Sequence, residues 1–174
     1  MKEIVIKADK LTKKFGDFIA TNQISFEVTQ GEIFGFLGAN GAGKTTAMRM
    51  LCGLSMPSSG SATIAGFDVY KQTEHIKQNI GYMSQKFSLY EDLTVKENIR
   101  FYAGIYGLSK PVIREKMELL KKVGLDEHPN TLITNIGTGK QQLVEIAKAL
   151  GRSARLLILD EPTAALTSAE ASRL

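Results

Sequence analysis

Apolar and polar residues alternate along several stretches of the chain, which is the pattern of a half-buried β-strand. The alternation and its apolar content predict strands at Glu3–Ala8, Phe18–Val28, Ile33–Leu37 and Ile80–Ser84, and a strand pair through Ala62–Val69. Near the end, Arg155–Leu159 is a continuous apolar run, which suits a strand that is buried on both faces.

Helical spacing of apolar residues follows Gly38–Gly43 and fills the middle of the chain. A helix is predicted at Lys44–Leu51 and another at Gln141–Leu150. Thr94-Val95-Lys96-Glu97 is a capping box, so a helix should begin there and run to about Tyr106. A further helix should start near Ser109, tolerate Pro111 in its first turn and end at Val123. Strands, a helical insertion at approximately residues 86–150 and a final strand predict an α/β fold with a helical subdomain.

Composition places the chain among ordinary globular proteins. Its 174 residues fit one domain, residues 1–174, and 43% hydrophobic with 23% charged residues is not the composition of a disordered chain. The net charge of +4 is mild and spread out, with no arginine-rich tract, so nucleic acid is not expected as a partner. No apolar run reaches the roughly 18–20 residues of a membrane span, so any membrane role must come through a partner.

One segment carries a motif with a definite chemistry. Gly38-Ala39-Asn40-Gly41-Ala42-Gly43-Lys44-Thr45 fills every fixed position of the phosphate-loop pattern, between a predicted strand and a predicted helix. Glycines allow successive amides to point at a phosphate, and the helix N-terminus adds positive potential. Lys44 would bring a mobile charge to the β- and γ-phosphates, and the Thr45 hydroxyl would bind magnesium. We therefore expect ATP and Mg²⁺ here, with Thr46 also among the binding residues.

A second motif follows the last predicted strand, where the apolar run ends in Asp160-Glu161. A carboxylate at the end of a buried strand is costly unless it meets a cation, and a phosphate loop supplies one as Mg²⁺. We expect Asp160 to hold magnesium and Glu161 to act as general base toward the attacking water. Without the phosphate loop, a solvated turn after the strand would be the alternative.

With these motifs in place, the whole sequence resembles the nucleotide-binding domain of ATP-binding cassette (ABC) transporters. The resemblance implies a P-loop NTPase fold of the ABC ATPase type, with an antiparallel β-subdomain and a helical subdomain. It implies that Phe15 stacks on adenine and that Gln85 contacts magnesium and the attacking water. Strand-end packing is the alternative for Phe15, and a surface-loop position is the alternative for Gln85.

The resemblance also implies an activity and partners. The chain would hydrolyse ATP to drive transport, as a peripheral protein on the cytoplasmic face of the membrane. Transmembrane permease subunits would dock on the helical subdomain around Gln85–Tyr106, and a second nucleotide-binding domain would complete a head-to-tail dimer. A soluble ABC ATPase of translation or DNA repair, and a nucleotide-binding fragment with little or no catalysis, are the alternatives.

The signature motif of the family is altered in this chain. The usual Leu-Ser-Gly-Gly-Gln corresponds to Ile136-Gly137-Thr138-Gly139-Lys140, followed by Gln141. In the family this motif opens a helix and holds the γ-phosphate bound by the other subunit, so residues 137–141 are expected to bind nucleotide. Loss of the serine hydroxyl removes a hydrogen bond to a charged group, which weakens this contact by roughly ten- to a hundredfold. Thr138 could supply a hydroxyl instead, and a plain loop and helix start is the alternative.

Two parts of the chain resemble different subfamilies. Phe15 to about Leu108 looks like ATPases of drug, lipid or polysaccharide exporters, whereas the sequence from Val123 onward looks like monosaccharide importers. Either the protein is a natural outlier or it is a hybrid joined near residues 121–130. No histidine follows Asp160-Glu161, where the family has one that contacts the γ-phosphate. We therefore expect a domain that is incomplete at its C-terminus, binds ATP-Mg and hydrolyses it slowly.

Overall fold

The structure is a computed structural model that describes residues 2–105, 107–122, 125–150 and 154–166. It divides into two compact units, Met1–Ile80 and Gly81–Leu174. Each unit has its own sheet and helices, and each contains a different part of the predicted site.

The first unit is built on a four-stranded sheet in the order β2-β1-β3-β4. Its strands are β1 (Ile4–Phe15), β2 (Phe18–Thr29), β3 (Ser59–Ile64) and β4 (Phe67–Asp68), and each pairing is antiparallel. Gly16 and Asp17 connect β1 to β2, and Gly16 has a φ of 58°, the left-handed conformation that a two-residue hairpin connection favours. The predicted antiparallel β-subdomain is confirmed.

Two helices belong to this unit. Helix α1 (Lys44–Leu51) buries Ala47, Met50 and Leu51, which share one face at helical spacing. Helix α2 (Thr73–Asn79) was not predicted, because Ile76 is the one residue that it buries and a single apolar residue gives no period.

The predicted strand at Ile33–Leu37 is wrong, because the segment pairs with no strand among the described residues. Its alternate side chains do separate: Phe34 and Phe36 pack on the Phe26 ring of β2, with ring centroids 5.1 and 5.2 Å away. Ile33 and Leu37 are 100% and 97% exposed. A strand requires the backbone of a neighbouring strand as its hydrogen-bond partner, and the described residues provide none here. Aromatic packing on Phe26 therefore attaches this segment to β2.

The second unit combines a two-stranded sheet of β5 (Ile80–Met83) and β6 (Leu156–Leu159) with three α-helices among its described residues. The helices are α3 (Val95–Ile105), α4 (Lys110–Lys122) and α5 (Thr138–Ala149), and a short 3₁₀ helix covers Ile133–Asn135. All three predicted helices of the middle of the chain are confirmed, although α5 begins earlier than predicted. Tyr106 and Val123, the predicted helix ends, lie outside the described residues.

Helix α5 contributes to two apolar clusters in this unit. One cluster joins Val144 and Ala147 to Val95 and Ile99 of α3. Ile133 and Ile136, just before α5, belong to the same cluster. The other joins Ile146 and Ala149 to Met83 at the end of β5, with Leu157 and Leu159 of β6 packed against it. The helix therefore ties the sheet to the helical part of the unit.

The predicted capping box at the start of α3 is confirmed. The Thr94 backbone amide and hydroxyl donate to the Glu97 carboxylate at 2.9 and 2.7 Å, and the Glu97 amide donates to the Thr94 hydroxyl oxygen at 3.2 Å. These bonds satisfy amides that have no partner within the helix.

Among the described residues, no helix has both the length and the apolar content that a membrane crossing requires.

Replacing the capping threonine should destabilise this unit. We expect Thr94→Ala to lower the free energy of unfolding by about 1 kcal/mol, because the alanine side chain cannot accept a hydrogen bond from the Glu97 backbone amide. Urea denaturation followed by circular dichroism measures the change. Thr134→Ala, at an exposed position of the 3₁₀ helix, is the matched control and should stay within about 0.5 kcal/mol of the parent. Equal losses in the two variants would contradict the capping role.

The same cap should make stability depend on pH. Hydrogen bonds from the amide and hydroxyl of Thr94 lower the pKa of Glu97 from its usual 4.5. Because the pKa of Glu97 is lower in the folded state than in the unfolded state, the ionised carboxylate stabilises the fold above the unfolded pKa. This stabilisation is lost as the pH falls through the folded pKa. The stability difference between the parent and Glu97→Gln should therefore shrink as the pH falls below the unfolded pKa. A difference that does not vary from neutral to acidic pH would refute the assignment.

Candidate active site

The phosphate loop leads directly into helix α1 and leaves the start of that helix open. Gly43 is the N-cap residue, with φ 82° and ψ 10°, and it has no side chain to accept the first helix amides. The first turn also carries no acidic residue. Amides at a helix N-terminus have no intrahelical partner, and the helix dipole adds positive potential there. This end of α1 can therefore bind an anion.

Gly43 is required by the close approach of strand β2. A Cβ atom added to Gly43 would lie 2.0 Å from the Ala20 carbonyl oxygen. Its left-handed φ also disfavours any residue with a side chain. The Thr21 hydroxyl lies 3.5 Å from the Gly43 carbonyl oxygen, so the end of the loop is seated against β2.

The Lys44 side chain folds back over the phosphate loop. Its Nζ donates to the carbonyl oxygens of Gly38 and Ala39 at 2.6 and 3.0 Å. An ammonium group has three donors, so it can bind an oxyanion while staying attached to the loop. In the same first turn of α1, Thr45 is exposed and Thr46 is half-buried.

Phe15 lies at the tip of the β1–β2 hairpin, opposite Phe18, and is 56% exposed. The ring therefore is not part of the core, and Lys13 Nζ lies 5.0 Å from its centroid. Ala20, which contacts Gly43, is two residues beyond Phe18, or about 7 Å along the strand. The hairpin thus presents an exposed aromatic ring on the same strand pair that supports the phosphate loop.

In the second unit, Asp160 follows β6 and is 2% exposed. Its backbone amide donates to the Met83 carbonyl oxygen at 3.0 Å, which fixes the residue at the end of the sheet. Its Oδ2 atom is buried and has no hydrogen-bond partner. An unpaired buried carboxylate oxygen is costly, and a hard cation such as Mg²⁺ would satisfy it. The residue therefore fits the predicted role of a magnesium ligand.

No group of three or more histidine, cysteine or acidic residues that could hold a metal ion occurs in the part of the chain that the structure describes. A divalent cation at Asp160 would need neutral or phosphate ligands for the rest of its coordination sphere, as Mg²⁺ commonly has when it binds with a nucleotide.

Gln85 and Glu161 are brought into direct contact. Gln85 Nε2 donates to Glu161 Oε2 at 3.0 Å. Glu161 has a φ of 54°, which is unusual for a residue with a side chain. Gln142 of α5 holds this backbone, since its Nε2 donates to the Glu161 carbonyl oxygen at 3.0 Å and its Oε1 accepts the Ala165 amide at 2.9 Å. The exposed Glu161 carboxylate therefore belongs to a turn whose backbone is held by two hydrogen bonds with Gln142.

The altered signature motif forms the start of α5. Gly137 is the N-cap, with φ −62°, ψ 156° and no side-chain cap, and Thr138 is exposed. Lys140 Nζ pairs with Glu127 Oε1 at 2.5 Å. Gln141 Nε2 donates to the carbonyl oxygens of Ile133 and Ile136, both at 3.1 Å. The backbone amides of the first turn have no intrahelical partner and can bind a ligand, whereas the Lys140 and Gln141 side chains make contacts within the unit.

The predicted site residues thus fall into two groups. Phe15 and residues 38–46 belong to the first unit, and Gln85, residues 137–141, Asp160 and Glu161 belong to the second. Sequence reasoning missed Gln142 and the buried charges that follow it on α5. A polar residue stands at every third position of the otherwise apolar stretch 142–149, but this spacing does not show whether those side chains are buried.

Comparison with known proteins agrees with this arrangement of motifs. The family model described as ABC transporter matches residues 21–164. The chain is 45% identical over 162 residues to the probable multidrug ABC transporter ATP-binding protein YbhF of Escherichia coli (strain K12), covering 92% of this chain and 28% of that protein. It is 41% identical over 178 residues to the nucleoside import ATP-binding protein NupA of Lactococcus lactis subsp. cremoris (strain MG1363). This match covers 99% of this chain and 35% of that protein. The chain thus spans about a third of the length of these relatives.

Solved structures share the fold. The chain matches the dimeric structure of a post-hydrolysis state of an ATP-binding cassette bound to ADP and Pi, with a TM-score of 0.85 and 27% identity over 97% of this chain and 78% of that one. An ATP binding subunit of an ABC transporter matches with a TM-score of 0.86 and 27% identity. This match covers 97% of this chain and 71% of that one. The predicted α/β P-loop NTPase fold of the ABC ATPase type is confirmed. With its motifs, its fold and most of its length matched, this chain belongs to the ABC transporter family.

Proposed function

We propose that this chain is the ATP-binding part of a transporter ATPase, which binds ATP with Mg²⁺ and hydrolyses it. The observation that carries the proposal is the phosphate loop, whose open helix N-terminus and folded-back Lys44 are suited to a polyphosphate. Phe15, exposed at the hairpin tip, would stack on the adenine ring. Thr45, Gln85 and Asp160 are the proposed magnesium ligands.

The hydrolytic step depends on the turn after β6. Glu161 is exposed, and its Oε2 atom already accepts a hydrogen bond from Gln85. The carboxylate would take a proton from the attacking water, and the Gln85 side chain would orient both the carboxylate and that water. Bound Mg²⁺ would neutralise charge that develops on the phosphate oxygens. The protein contributes mainly by positioning these groups.

The proposed partners follow from the relatives. YbhF and NupA are named as ATP-binding proteins of a multidrug transporter and a nucleoside importer. We propose that this chain likewise acts with transmembrane permease subunits at the cytoplasmic face of the membrane, and with a second cassette in a head-to-tail dimer. One solved neighbour is itself a dimer. Gly137 offers no hydroxyl to the partner's nucleotide, so this contact would rest on the backbone amides at the start of α5 and on the hydroxyl of the exposed Thr138.

The relatives include proteins named for export and for import, as the mixed resemblance of the sequence predicted. The proteins to which the chain is similar are named as transporter components, which does not favour a soluble ABC ATPase. The transported compound is left unassigned, because the proposed nucleotide site does not contact it.

The phosphate loop is tested first by its lysine. Lys44→Ala should weaken ATP binding by roughly ten- to a hundredfold, because it removes a charged hydrogen-bond donor from the phosphates. A titration with a fluorescent ATP analogue measures the affinity, and circular dichroism checks the fold. Lys71→Ala, an exposed lysine near α2 in the same unit, is the control. Unchanged affinity in Lys44→Ala would remove the phosphate-loop assignment.

The two carboxylates at the end of β6 should behave differently. Glu161→Gln should keep ATP bound and slow single-turnover hydrolysis by about 10²–10⁴-fold, since glutamine keeps the size and loses the base. Asp160→Asn should instead raise the Mg²⁺ concentration that is needed for half-maximal nucleotide binding. Parent-like hydrolysis by Glu161→Gln, or an unchanged Mg²⁺ requirement in Asp160→Asn, would show the corresponding role to be wrong.

A further inference from the structure

Helix α5 carries three polar residues on one buried face. Gln142, Glu145 and Lys148 are spaced three apart, and their exposed fractions are 2%, 0% and 8%. All the remaining residues from Leu143 to Ala149 are apolar, and they are buried as well. A buried charge is expensive unless it is paired and hydrogen-bonded, so the partners of these three side chains must be fixed.

The partners of Glu145 and Lys148 lie in the segment that follows Gln85. The backbone amide and hydroxyl of Ser88 both donate to Glu145 Oε1, at 2.5 and 3.0 Å. Lys148 pairs with Glu145 Oε2 and also donates to the Ser88 hydroxyl oxygen. The ion pair therefore contacts Ser88 through both its charges.

Tyr102 of α3 completes the cluster. Its hydroxyl donates to the Ser88 carbonyl oxygen, and its ring centroid lies 4.5 Å from Lys148 Nζ, within cation–π distance. The backbone amide of Ser88 is thus held by α5 and its carbonyl by α3. Both backbone groups of a residue three positions after Gln85 are fixed by other elements.

The same helix face fixes the other catalytic residue. Gln142, one turn before Glu145, donates to the Glu161 carbonyl oxygen. Helix α5 therefore holds the backbone on both sides of the hydrogen bond between Gln85 and Glu161. Three residues of chain span at most about 10 Å, so the position of Ser88 limits the positions that Gln85 can reach.

We propose that Glu145 and Lys148 are positioning residues that anchor the Gln85–Ser88 segment to α5 and so keep Gln85 hydrogen-bonded to Glu161. The inference rests on the proposed ATP hydrolysis for its effect on turnover, and on the Ser88 contacts for the anchoring itself. Neither residue touches the reacting groups.

The test removes the ion pair without leaving a buried charge behind. Replacing a buried ion pair by apolar residues of similar size is often neutral or stabilising, whereas removing one partner is not. The double variant Glu145→Leu/Lys148→Met should therefore fold and keep its nucleotide affinity. Glu74→Leu/Lys77→Met, the same spacing on exposed α2, is the matched control.

Two NMR signals report on the anchoring without any need for hydrolysis. In the double variant, hydrogen exchange of the Ser88 amide should become at least about tenfold faster, because its buried acceptor is gone. The Gln85 side-chain amide signal, assigned with Gln85→Ala, should shift toward its value in a Glu161→Ala variant. The control pair should change neither signal. Unchanged exchange at Ser88, or an unchanged Gln85 signal, overturns the proposal.

Single-turnover ATP hydrolysis is the second measurement. We expect the rate constant of the double variant to fall between about tenfold and a hundredfold, with nucleotide affinity within twofold, since small misplacement of a catalytic group costs rate more than binding. A rate equal to that of the control pair overturns the positioning role. If the parent chain does not hydrolyse ATP, the proposed function fails, and the two NMR signals still decide the anchoring.

Discussion

The burial of helix α5 is the constraint on which the second unit depends. From Gln142 to Ala149 every residue is buried, so the helix has no solvent-facing side over that length. Val144 and Ala147 face one cluster while Ile146 and Ala149 face another. A helix that is packed on all sides cannot tilt without opening a cavity. It therefore provides a fixed reference for any residue that is hydrogen-bonded to it.

The polar residues of α5 convert this rigidity into the geometry of the site. Because Glu145 and Lys148 are buried, their partners cannot be replaced by bulk water, and Ser88 is held in place. Because Gln142 is buried, the turn after β6 is held in the same way. The hydrogen bond between Gln85 and Glu161 is thus a consequence of packing some distance from it. In the first unit the phosphate loop is positioned differently, by the close approach of Gly43 to the Ala20 carbonyl group of β2.

Features that are decided by a few neighbouring residues could be predicted from the sequence. The capping box of α3, the strand at Phe18–Val28 and the phosphate loop each depend on local spacing. The segment Ile33–Leu37 could not, because its apolar content gives no information on whether another strand's backbone is available. Glu145 and Lys148 could not either, since charged residues on a helix usually face solvent and only the tertiary packing shows that these are buried. The contact of Gln85 with Glu161 joins residues 76 positions apart, which no local pattern encodes.

The start of α5 links the altered signature motif to this rigid helix. With Gly137 as N-cap and no side-chain cap, the positive potential of the turn comes from backbone amides and the helix dipole. Lys140 adds a charge, but its pairing with Glu127 is about one-third exposed, and such pairs contribute only about 0–1 kcal/mol. Recognition of an anion at this turn would thus rely on the backbone amides and the helix dipole, to which the exposed Thr138 can add a hydroxyl, and salt screens the electrostatic part.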